Sequence, residues 1–232
     1  MILVTWNCCR GAYSSKVPLL TPLGADISVV QECARPKEES ETCLWFGDNP
    51  RQGIAVTAAG PYRLRALPAR KRVPKFVIPI EVTGPESFIL FAVWSKTNQK
   101  YRYVTAVIKA VQMYRTLFAE SPAVLIGDLN TNIIWDSHHP EGQNHSALIR
   151  LLSGLGLVSS YHEFFAEEHG RETRPTYYFL WNEDRPYHID FCFVPSAWLP
   201  RIRRIEIGAY SEWKRHSDHR PLLVEVSAGA VS

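Results

Sequence analysis

The sequence has no apolar run close to the roughly 20 residues that a membrane-spanning helix needs. It also shows no basic N-terminal region with a cleavage site, and a strand-like run begins directly at Ile2. No Gly/Ser-rich linker or low-complexity segment interrupts its 232 residues. From these absences we expect no membrane insertion, one domain over residues 1–232 and a cytoplasmic location.

Cysteine is scarce and badly placed for either disulfides or zinc. There are five cysteines, an odd number, and no two are separated by the two residues typical of a zinc site. We expect reduced, mostly buried thiols, with Cys192 packed in a strand between Phe191 and Phe193. Zinc is therefore disfavoured as the catalytic ion.

The chain also has little excess of positive over negative charge, with a net charge of only +3. The basic residues are nevertheless clustered, and such clusters suit either the phosphates of a nucleic acid or a solvated loop and strand face. The sequence leaves both interpretations open. The clusters are Arg63, Arg65, Arg70, Lys71, Arg72 and Lys75, and then Arg201, Arg203 and Arg204.

Short apolar, β-branched and aromatic runs dominate the chain and predict many strands. Apolar residues at three- and four-residue steps predict helices from Tyr103 to Ala119 and from about Asn144 to Leu155, and a shorter helix is expected from Val17 to Leu23. This pattern favours an α/β (α+β) fold with two packed sheets and helices outside. The predicted strands cover 2–7, 27–31, 42–46, 53–58, 62–67, 76–82, 87–94, 123–128, 176–180, 188–194, 202–207 and 221–226.

Strongly polar side chains stand at or beside the ends of several of these runs. A carboxylate in such a place is costly to desolvate unless it is paired, hydrogen-bonded or bound to a metal. Oxygen ligands that converge with a histidine indicate a hard-cation site suited to phosphate chemistry. The residues concerned are Asn7, Glu32, Asp128, Asn130, Asp190, Asp218 and His219.

Two spacings within this set are informative. Asp128 and Asn130 are two apart in an extended segment and so point to one side, where they could hold a water or a phosphate oxygen, although an Asx turn is the better explanation for the pair taken alone. Asp190 is an acid inside an apolar run and needs a partner, for which His219 is the economical choice. We expect His188 to be structural or to line the substrate site.

Six short motifs together resemble the endonuclease/exonuclease/phosphatase superfamily. They follow the order found in that superfamily and extend over nearly the whole chain. The resemblance implies a four-layer α/β sandwich of two mainly antiparallel sheets and divalent-metal hydrolysis of phosphoester bonds. The motifs are Trp6-Asn7, Gln31-Glu32, Gly53-Ile54-Ala55-Val56, Gly127-Asp128-Leu129-Asn130, His188-Ile189-Asp190 and Ser217-Asp218-His219-Arg220-Pro221-Leu222.

The resemblance also implies a metal site. Glu32 is similar to the principal Mg²⁺ ligand of the superfamily, and Asn7 and Asp218 match positions in the metal shell. Mn²⁺ could substitute for Mg²⁺.

A catalytic set is implied in the same way. Asp128 and Asn130 match the pair that positions water and phosphate, and His219, held by Asp190, matches the residue that contacts the scissile phosphate or exchanges a proton.

Two positions depart from the superfamily pattern. Trp94 stands where many members have histidine and abasic-site endonucleases have tyrosine, and Cys9 stands where abasic-site repair enzymes have an acid. A dedicated abasic-site endonuclease is therefore disfavoured. Trp94 is expected either to stack on a base or sugar or to pack.

Further residues are candidates for the substrate site. His138 and His139 follow Trp135 on an expected loop and could line the cleft, whereas we expect His145, His162, His169 and His216 to be structural or solvated. The candidate substrate-binding residues are Trp94, His188, Arg70 and Arg72.

These observations predict a Mg²⁺-dependent phosphodiesterase in which Asp128 orients or deprotonates an attacking water. A nuclease acting on DNA or RNA is favoured by the basic clusters and by aromatics that could stack bases. A phosphatase or phosphodiesterase acting on a lipid or small-molecule phosphoester is the alternative, and a catalytically inactive nucleic-acid-binding module is the third possibility.

Overall fold

Two six-stranded sheets form the centre of the computed structural model, which describes residues 1–96 and 102–229. The first has the spatial order β13 (Ile202–Ile207), β14 (Leu222–Val226), β1 (Ile2–Asn7), β2 (Ile27–Cys33), β4 (Gln52–Ala58) and β3 (Cys43–Asn49). The second has the order β5 (Arg63–Ala66), β6 (Val77–Thr83), β7 (Phe88–Trp94), β8 (Ala123–Asp128), β12 (Asp190–Pro195) and β9 (Leu157–Ser159). A separate hairpin contains β10 (Tyr177–Tyr178) and β11 (Pro186–Tyr187).

Most strand pairs are antiparallel, as expected. The β1–β2 and β7–β8 pairs are parallel, which makes both sheets mixed. The α-helices are α1 (Tyr13–Lys16), α2 (Tyr103–Met113), α3 (Arg115–Glu120), α4 (His145–Ser153), α5 (Ser160–Phe165) and α6 (Tyr210–Trp213). Short 3-10 helices cover Val17–Leu23, Ile133–His138, Phe179–Trp181 and Ser196–Arg201.

Side chains along each strand face alternately the space between the two sheets and the helices outside, and this alternation produces the layers of the fold. In β8, Ile126 faces the apolar cluster between the two sheets, whereas Leu125 faces the cluster beneath α2 and α4. In β1, Leu3 faces the space between the sheets and Val4 packs under the 3-10 helix Val17–Leu23. The order is therefore helices, sheet, sheet, helices, and the expected four-layer sandwich is confirmed.

Several predicted boundaries were wrong. The expected helix from Tyr103 to Ala119 is two helices, because Tyr114 (φ −97°, ψ 12°) leaves the helical conformation. The segment Val17–Leu23 is a 3-10 helix containing Pro18 and Pro22, residues that cannot donate the backbone hydrogen bonds of a regular helix. Strand β9 and helix α5 were not predicted. No helix within residues 1–96 and 102–229 combines the length and apolar character needed to cross a bilayer.

Candidate active site at the end of the two sheets

The predicted polar residues meet at one end of the layer between the sheets. Asp128 is paired with Trp94 on one side and Asp190 on the other, so three strand ends of the second sheet lie at one level. Asn7 ends β1 in the opposite sheet, and its amide nitrogen lies 2.9 Å from the Oδ2 of Asp128. Side chains alternate between the two faces of a strand. The same alternation that directs apolar residues into the space between the sheets therefore also brings these polar side chains together.

Asp128 is fully buried and surrounded by amide donors. Its Oδ1 accepts from the backbone N–H of Asn130 (2.8 Å), and its Oδ2 accepts from the side-chain amides of Asn7 (2.9 Å) and Asn130 (2.8 Å). Burial raises the pKa of Asp128 to about 7, more than the hydrogen bonds and the charge of His219 lower it. The carboxylate is thus fixed in orientation and can accept a proton near neutral pH.

His219 and Asp190 form a buried pair beside Asp128. The Nδ1 of His219 lies 2.8 Å from the Oδ2 of Asp190, and the two residues are 5% and 0% exposed. Burial opposes protonation of His219, but the charge of Asp190 and its hydrogen bond raise the imidazole pKa to about 9. His219 is therefore a cation at neutral pH and can donate a hydrogen bond to a phosphate oxygen.

The backbone at Gly127 allows β7 and β8 to come this close. Its φ is +147°, and a Cβ atom there would lie 2.0 Å from the carbonyl oxygen of Val93. Asn130 then takes a positive φ of 49°, which turns its side chain back onto Asp128. The Asx turn and the convergence of Asp128 and Asn130 are thus one feature, and the two explanations that the sequence left open do not exclude each other.

Glu32 stands at a bulge in β2, where its φ is +60° and the register against β4 shifts. Its Oε1 accepts from Asn7 Nδ2 at 3.3 Å and its Oε2 from Gln52 Nε2 at 2.9 Å, while Arg10 lies 3.9 Å away. The side chain remains 21% exposed. Glu32 is therefore an oriented carboxylate with access to solvent at the rim of the buried cluster.

Asp218 occupies the same rim, adjacent to His219. The Ser217 hydroxyl fixes this turn, because it donates to the backbone carbonyl of Asn7 (2.7 Å) and accepts from the N–H of His219 (2.9 Å). Burial and the charges of Asp218 and Glu32 raise the pKa of Cys9 to about 12, so this thiol stays protonated.

The donor chemistry of the site suits a divalent cation. Donor atoms of Asp128, Asp190 and His219 lie within 4.8 Å of one another, and the two carboxylates could bind a metal beside the protonated imidazole. Within the described residues, the Oδ1 of Asp190 is buried and has no hydrogen-bond partner. The oxygens of Glu32 and Asp218, which face the rim, extend this set with hard ligands.

The predicted substrate-binding residues do not form one exposed surface at this cluster, although Trp94 is the strand neighbour of Asp128. Trp94 is 3% exposed, packs against Phe76 and has the Lys96 ammonium 3.7 Å from its ring centroid. His188 is buried and its Nδ1–H donates to the backbone carbonyl of Arg174 (2.9 Å).

Arg70 and Arg72 are exposed and belong to the segment between β5 and β6. Arg70 donates to the backbone carbonyl of Met113 (2.6 Å) and to the Thr116 hydroxyl (2.7 Å), which ties this segment to the α2–α3 junction.

Five of the nine basic residues in the two clusters are paired with neighbouring acids. Ion pairs join Arg63 to Glu41, Arg65 to Glu81, Lys75 to Asp48, Arg201 to Glu86, and Arg204 to both Glu206 and Glu225. Because these cations already have anionic partners, the solvated-face interpretation describes them better than a phosphate-binding surface.

A groove rich in aromatic side chains opens beside Asn130 and was not predicted as a unit. It has a volume of about 610 Å³. Tyr177 connects it to the buried pair, since its ring centroid is 4.5 Å from that of His219, and the rings of Trp135 and Tyr187 are 5.1 Å apart. The density of aromatic residues from Tyr177 to Tyr187 was the available sequence signal. The groove is lined by Arg102, Tyr103, Asn130, Thr131, Trp135, His138, His139, Tyr177, Phe179, Arg185, Tyr187 and Ile189.

The fold is shared with solved structures, although no protein-family model and no curated protein matches the chain. The 3'-5' exonuclease NExo from Neisseria meningitidis has a TM-score of 0.67 at 20% identity, over 98% of this chain and 100% of that chain. The endonuclease domain of TRAS1, a telomere-specific non-LTR retrotransposon, has a TM-score of 0.69 at 14% identity, over 98% of each chain. An AP endonuclease from Archaeoglobus fulgidus has a TM-score of 0.69 at 18% identity, over 98% of this chain and 99% of that chain.

These similarities extend over almost the whole of both chains and establish the fold. It is the fold of the endonuclease/exonuclease/phosphatase superfamily, and the resemblance carried by the six motifs is confirmed at that level.

Proposed function

We propose that this protein is a divalent-metal-dependent phosphodiesterase that hydrolyses nucleic acid. The observation that carries the proposal is the hydrogen-bonded cluster in which Asn7, Asn130 and Asp128 adjoin the His219–Asp190 pair at the mouth of an aromatic groove. An oriented proton acceptor and a buried cation then stand next to each other, as hydrolysis of a phosphodiester requires.

Glu32 is the proposed principal ligand of Mg²⁺, and Asp218 and Asn7 complete the protein's contribution. These oxygen donors suit a hard cation, and Mn²⁺ fits the same set. When bound, the cation supplies charge stabilisation for the phosphate oxygens and the leaving group. The amides of Asn7 and Gln52 hold Glu32 in place from two sides.

Asp128 is the proposed acceptor of the proton from the attacking water. Asn7 and Asn130 fix its orientation, and a pKa near 7 matches the acceptor to neutral pH. His219, held as a cation by Asp190, donates a hydrogen bond to a non-bridging oxygen and stabilises the charge that develops there.

The groove favours a nucleic acid as the substrate. Rings such as Trp135 and Tyr187 offer faces on which bases stack, and Arg102 and Arg185 add positive charge at the same surface. The similar structures are an exonuclease, an endonuclease domain and an AP endonuclease, which supports this substrate class. A lipid or small-molecule phosphoester remains the alternative substrate. The five free thiols agree with the predicted cytoplasmic location.

A substrate panel tests the proposal. Purified protein is incubated with labelled single- and double-stranded DNA, RNA and a phospholipid panel, each with Mg²⁺, Mn²⁺ or chelator. We expect metal-dependent cleavage of DNA or RNA that is lost in Asp128→Ala and kept in Glu120→Ala, whose exposed carboxylate ends α3, just before the start of β8 and at the opposite end of that strand from Asp128. Rapid release from a phospholipid with weak cleavage of nucleic acid would support the alternative substrate, and full activity of Asp128→Ala would reject the assignment.

A further inference from the structure

A second group of titratable side chains lies on the other face of β12. Phe191 points into the layer beneath the helices, opposite to Asp190 and Cys192, and four histidines surround its ring. From the sequence alone no partner could be identified for His145, His162 and His169, which were expected to be structural or solvated. The group consists of His145, His162, His169, His188 and Glu172.

Several nitrogens in this group are buried without a hydrogen bond. Within the described residues, this holds for both ring nitrogens of His145, the Nδ1 of His169 and the Nε2 of His188. His188 donates from Nδ1 to a backbone carbonyl, so its Nε2 carries a free lone pair. A buried polar atom without a partner costs about 1–3 kcal/mol. Several buried nitrogens without partners in one place indicate that a ligand binds there.

The ionisation states in the group suit a metal cation. Burial, helped by the neighbouring histidines, lowers the pKa of His169 to about 3, and burial lowers that of His145 to about 4. Burial opposes ionisation of Glu172, but hydrogen bonds from His162 and Gly170 lower its pKa to about 2. His145 and His169 are therefore neutral and the Glu172 carboxylate is ionised, as metal ligands must be.

Supporting contacts orient two of these side chains. The Nδ1 of His162 lies 2.7 Å from the Ser159 hydroxyl, which leaves Nε2 facing Glu172 at 3.0 Å. Glu172 also accepts from the Asn132 side-chain amide and the Gly170 N–H, both at 3.0 Å. A ligand histidine that is hydrogen-bonded through its other nitrogen is the usual arrangement in metal sites.

We propose that His162, His169 and Glu172 bind a transition-metal ion, with Zn²⁺ the best match. Their donor atoms lie within 4.8 Å of one another, and the side chains of His162 and Glu172 are 5% and 6% exposed. Two imidazoles and one carboxylate are a zinc donor set, whereas Mg²⁺ prefers oxygen ligands alone. This site is separate from the oxygen-rich rim at Glu32 and Asp218.

The site has a structural consequence for the catalytic cluster. His169 and Glu172 belong to the segment that continues to Thr176, whose hydroxyl accepts from the N–H groups of Ile189 (3.1 Å) and Asp190 (3.0 Å). A metal that fixes this segment also fixes the backbone that presents Asp190 to His219.

Metal binding to the full-length protein tests the proposal. Protein without a histidine tag is stripped with chelator, titrated with Zn²⁺ in the presence of Mg²⁺, and analysed for bound metal by mass spectrometry. We expect one Zn²⁺ per chain, a melting temperature higher by roughly 5 to 10 °C at a hundredfold excess over Kd, and visible d–d absorption when Co²⁺ replaces Zn²⁺.

Variants locate the binding site. His169→Asn and Glu172→Gln should each weaken Zn²⁺ binding at least tenfold, whereas His216→Asn, outside the group, and Glu32→Gln, at the rim, should bind as the unmodified protein does. If the unmodified protein takes up no Zn²⁺, or if its melting temperature and Co²⁺ spectrum are unchanged by metal, the group holds buried water and the proposal is wrong. Loss of uptake in Glu32→Gln with full uptake in His169→Asn would also reject it.

Discussion

The Nδ1 of His219 lies 2.8 Å from the Oδ2 of Asp190 in an environment closed to solvent. Because this contact raises the imidazole pKa to about 9, while that of Asp128 is near 7, the protonated histidine and the ionised acid coexist at intermediate pH. The two groups therefore have opposite charges in the pH range where hydrolysis needs an acceptor and a donor.

The substitution Asp190→Asn should lower kcat roughly 10²- to 10⁴-fold, because the imidazole loses both its orientation and its charge partner. The alkaline limb of the pH–rate profile should move from about 9 toward the ordinary histidine value. Steady-state kinetics from pH 5 to 10 measure both effects. An alkaline limb unchanged in the variant would show that His219 does not depend on Asp190.

The stability of the metal-free protein should fall as pH rises through this range. A histidine with a raised folded-state pKa contributes stability that is complete below its unfolded value near 6.5 and is lost as pH rises through about 9. The contribution is about 3 kcal/mol at most. Urea unfolding in chelator at pH 6.5 and 9 measures it, and His219→Gln should flatten the dependence. Equal or greater stability at pH 9 would contradict the assigned charge state.

Gly127→Ala should destabilise the fold by more than about 2 kcal/mol, because the new Cβ would meet the Val93 carbonyl oxygen at 2.0 Å. Gly142→Ala is the matched control, since Gly142 also has positive φ (+75°) but nothing within 4 Å of the added atom, and it should cost only about 1 kcal/mol. Thermal unfolding compares the two. Similar losses would show that conformation alone, and not the close approach of β7, requires glycine at 127.

The sequence could predict the strand ends because an interior strand needs apolar residues at every second position. Asp128 is two positions from Ile126, and Asp190 is two positions from Cys192. Each aspartate therefore lies on the same face of its strand as an apolar residue that packs between the sheets. The β2 bulge at Glu32 was not predictable, because the shift against β4 depends on pairing with Gly53 in another strand. Glu32 was predicted as a site residue from the motif resemblance, because the alternation of residues along β2 could not predict its position.

The sequence could not predict which residues that are distant along the chain come together in the fold. His145, His162, His169 and His188 are spread over more than forty positions, and they meet because α4, α5 and β12 pack around Phe191. The aromatic groove likewise combines the helix start at Tyr103 with the hairpin at Tyr187. Such contacts depend on tertiary packing, and no local periodicity contains them.

Trp135→Ala should weaken binding of single-stranded nucleic acid roughly 5- to 100-fold, because one stacking surface beside Tyr187 is removed. KM should rise while kcat changes little, since Trp135 lies in the groove and is not one of the residues that form the hydrogen-bonded cluster around Asp128. Fluorescence anisotropy with labelled oligonucleotides measures the affinity. Phe164→Ala removes an aromatic ring of 41% exposure outside the groove and should leave affinity unchanged. Equal losses in both variants would reject the groove as the binding surface.

The Mg²⁺ dependence of nucleic-acid cleavage by Glu32→Gln tests the central claim most directly. Glutamine keeps the size of the side chain at the β2 bulge but removes the charge of the proposed principal ligand. We predict that chelator abolishes cleavage by the unmodified protein, that Mg²⁺ restores it, and that Glu32→Gln needs at least tenfold more Mg²⁺ for half-maximal activity, while Glu120→Gln, at the opposite end of β8 from Asp128, matches the unmodified protein. Cleavage that persists in chelator, or a Glu32→Gln titration that overlies that of the unmodified protein, would contradict the account.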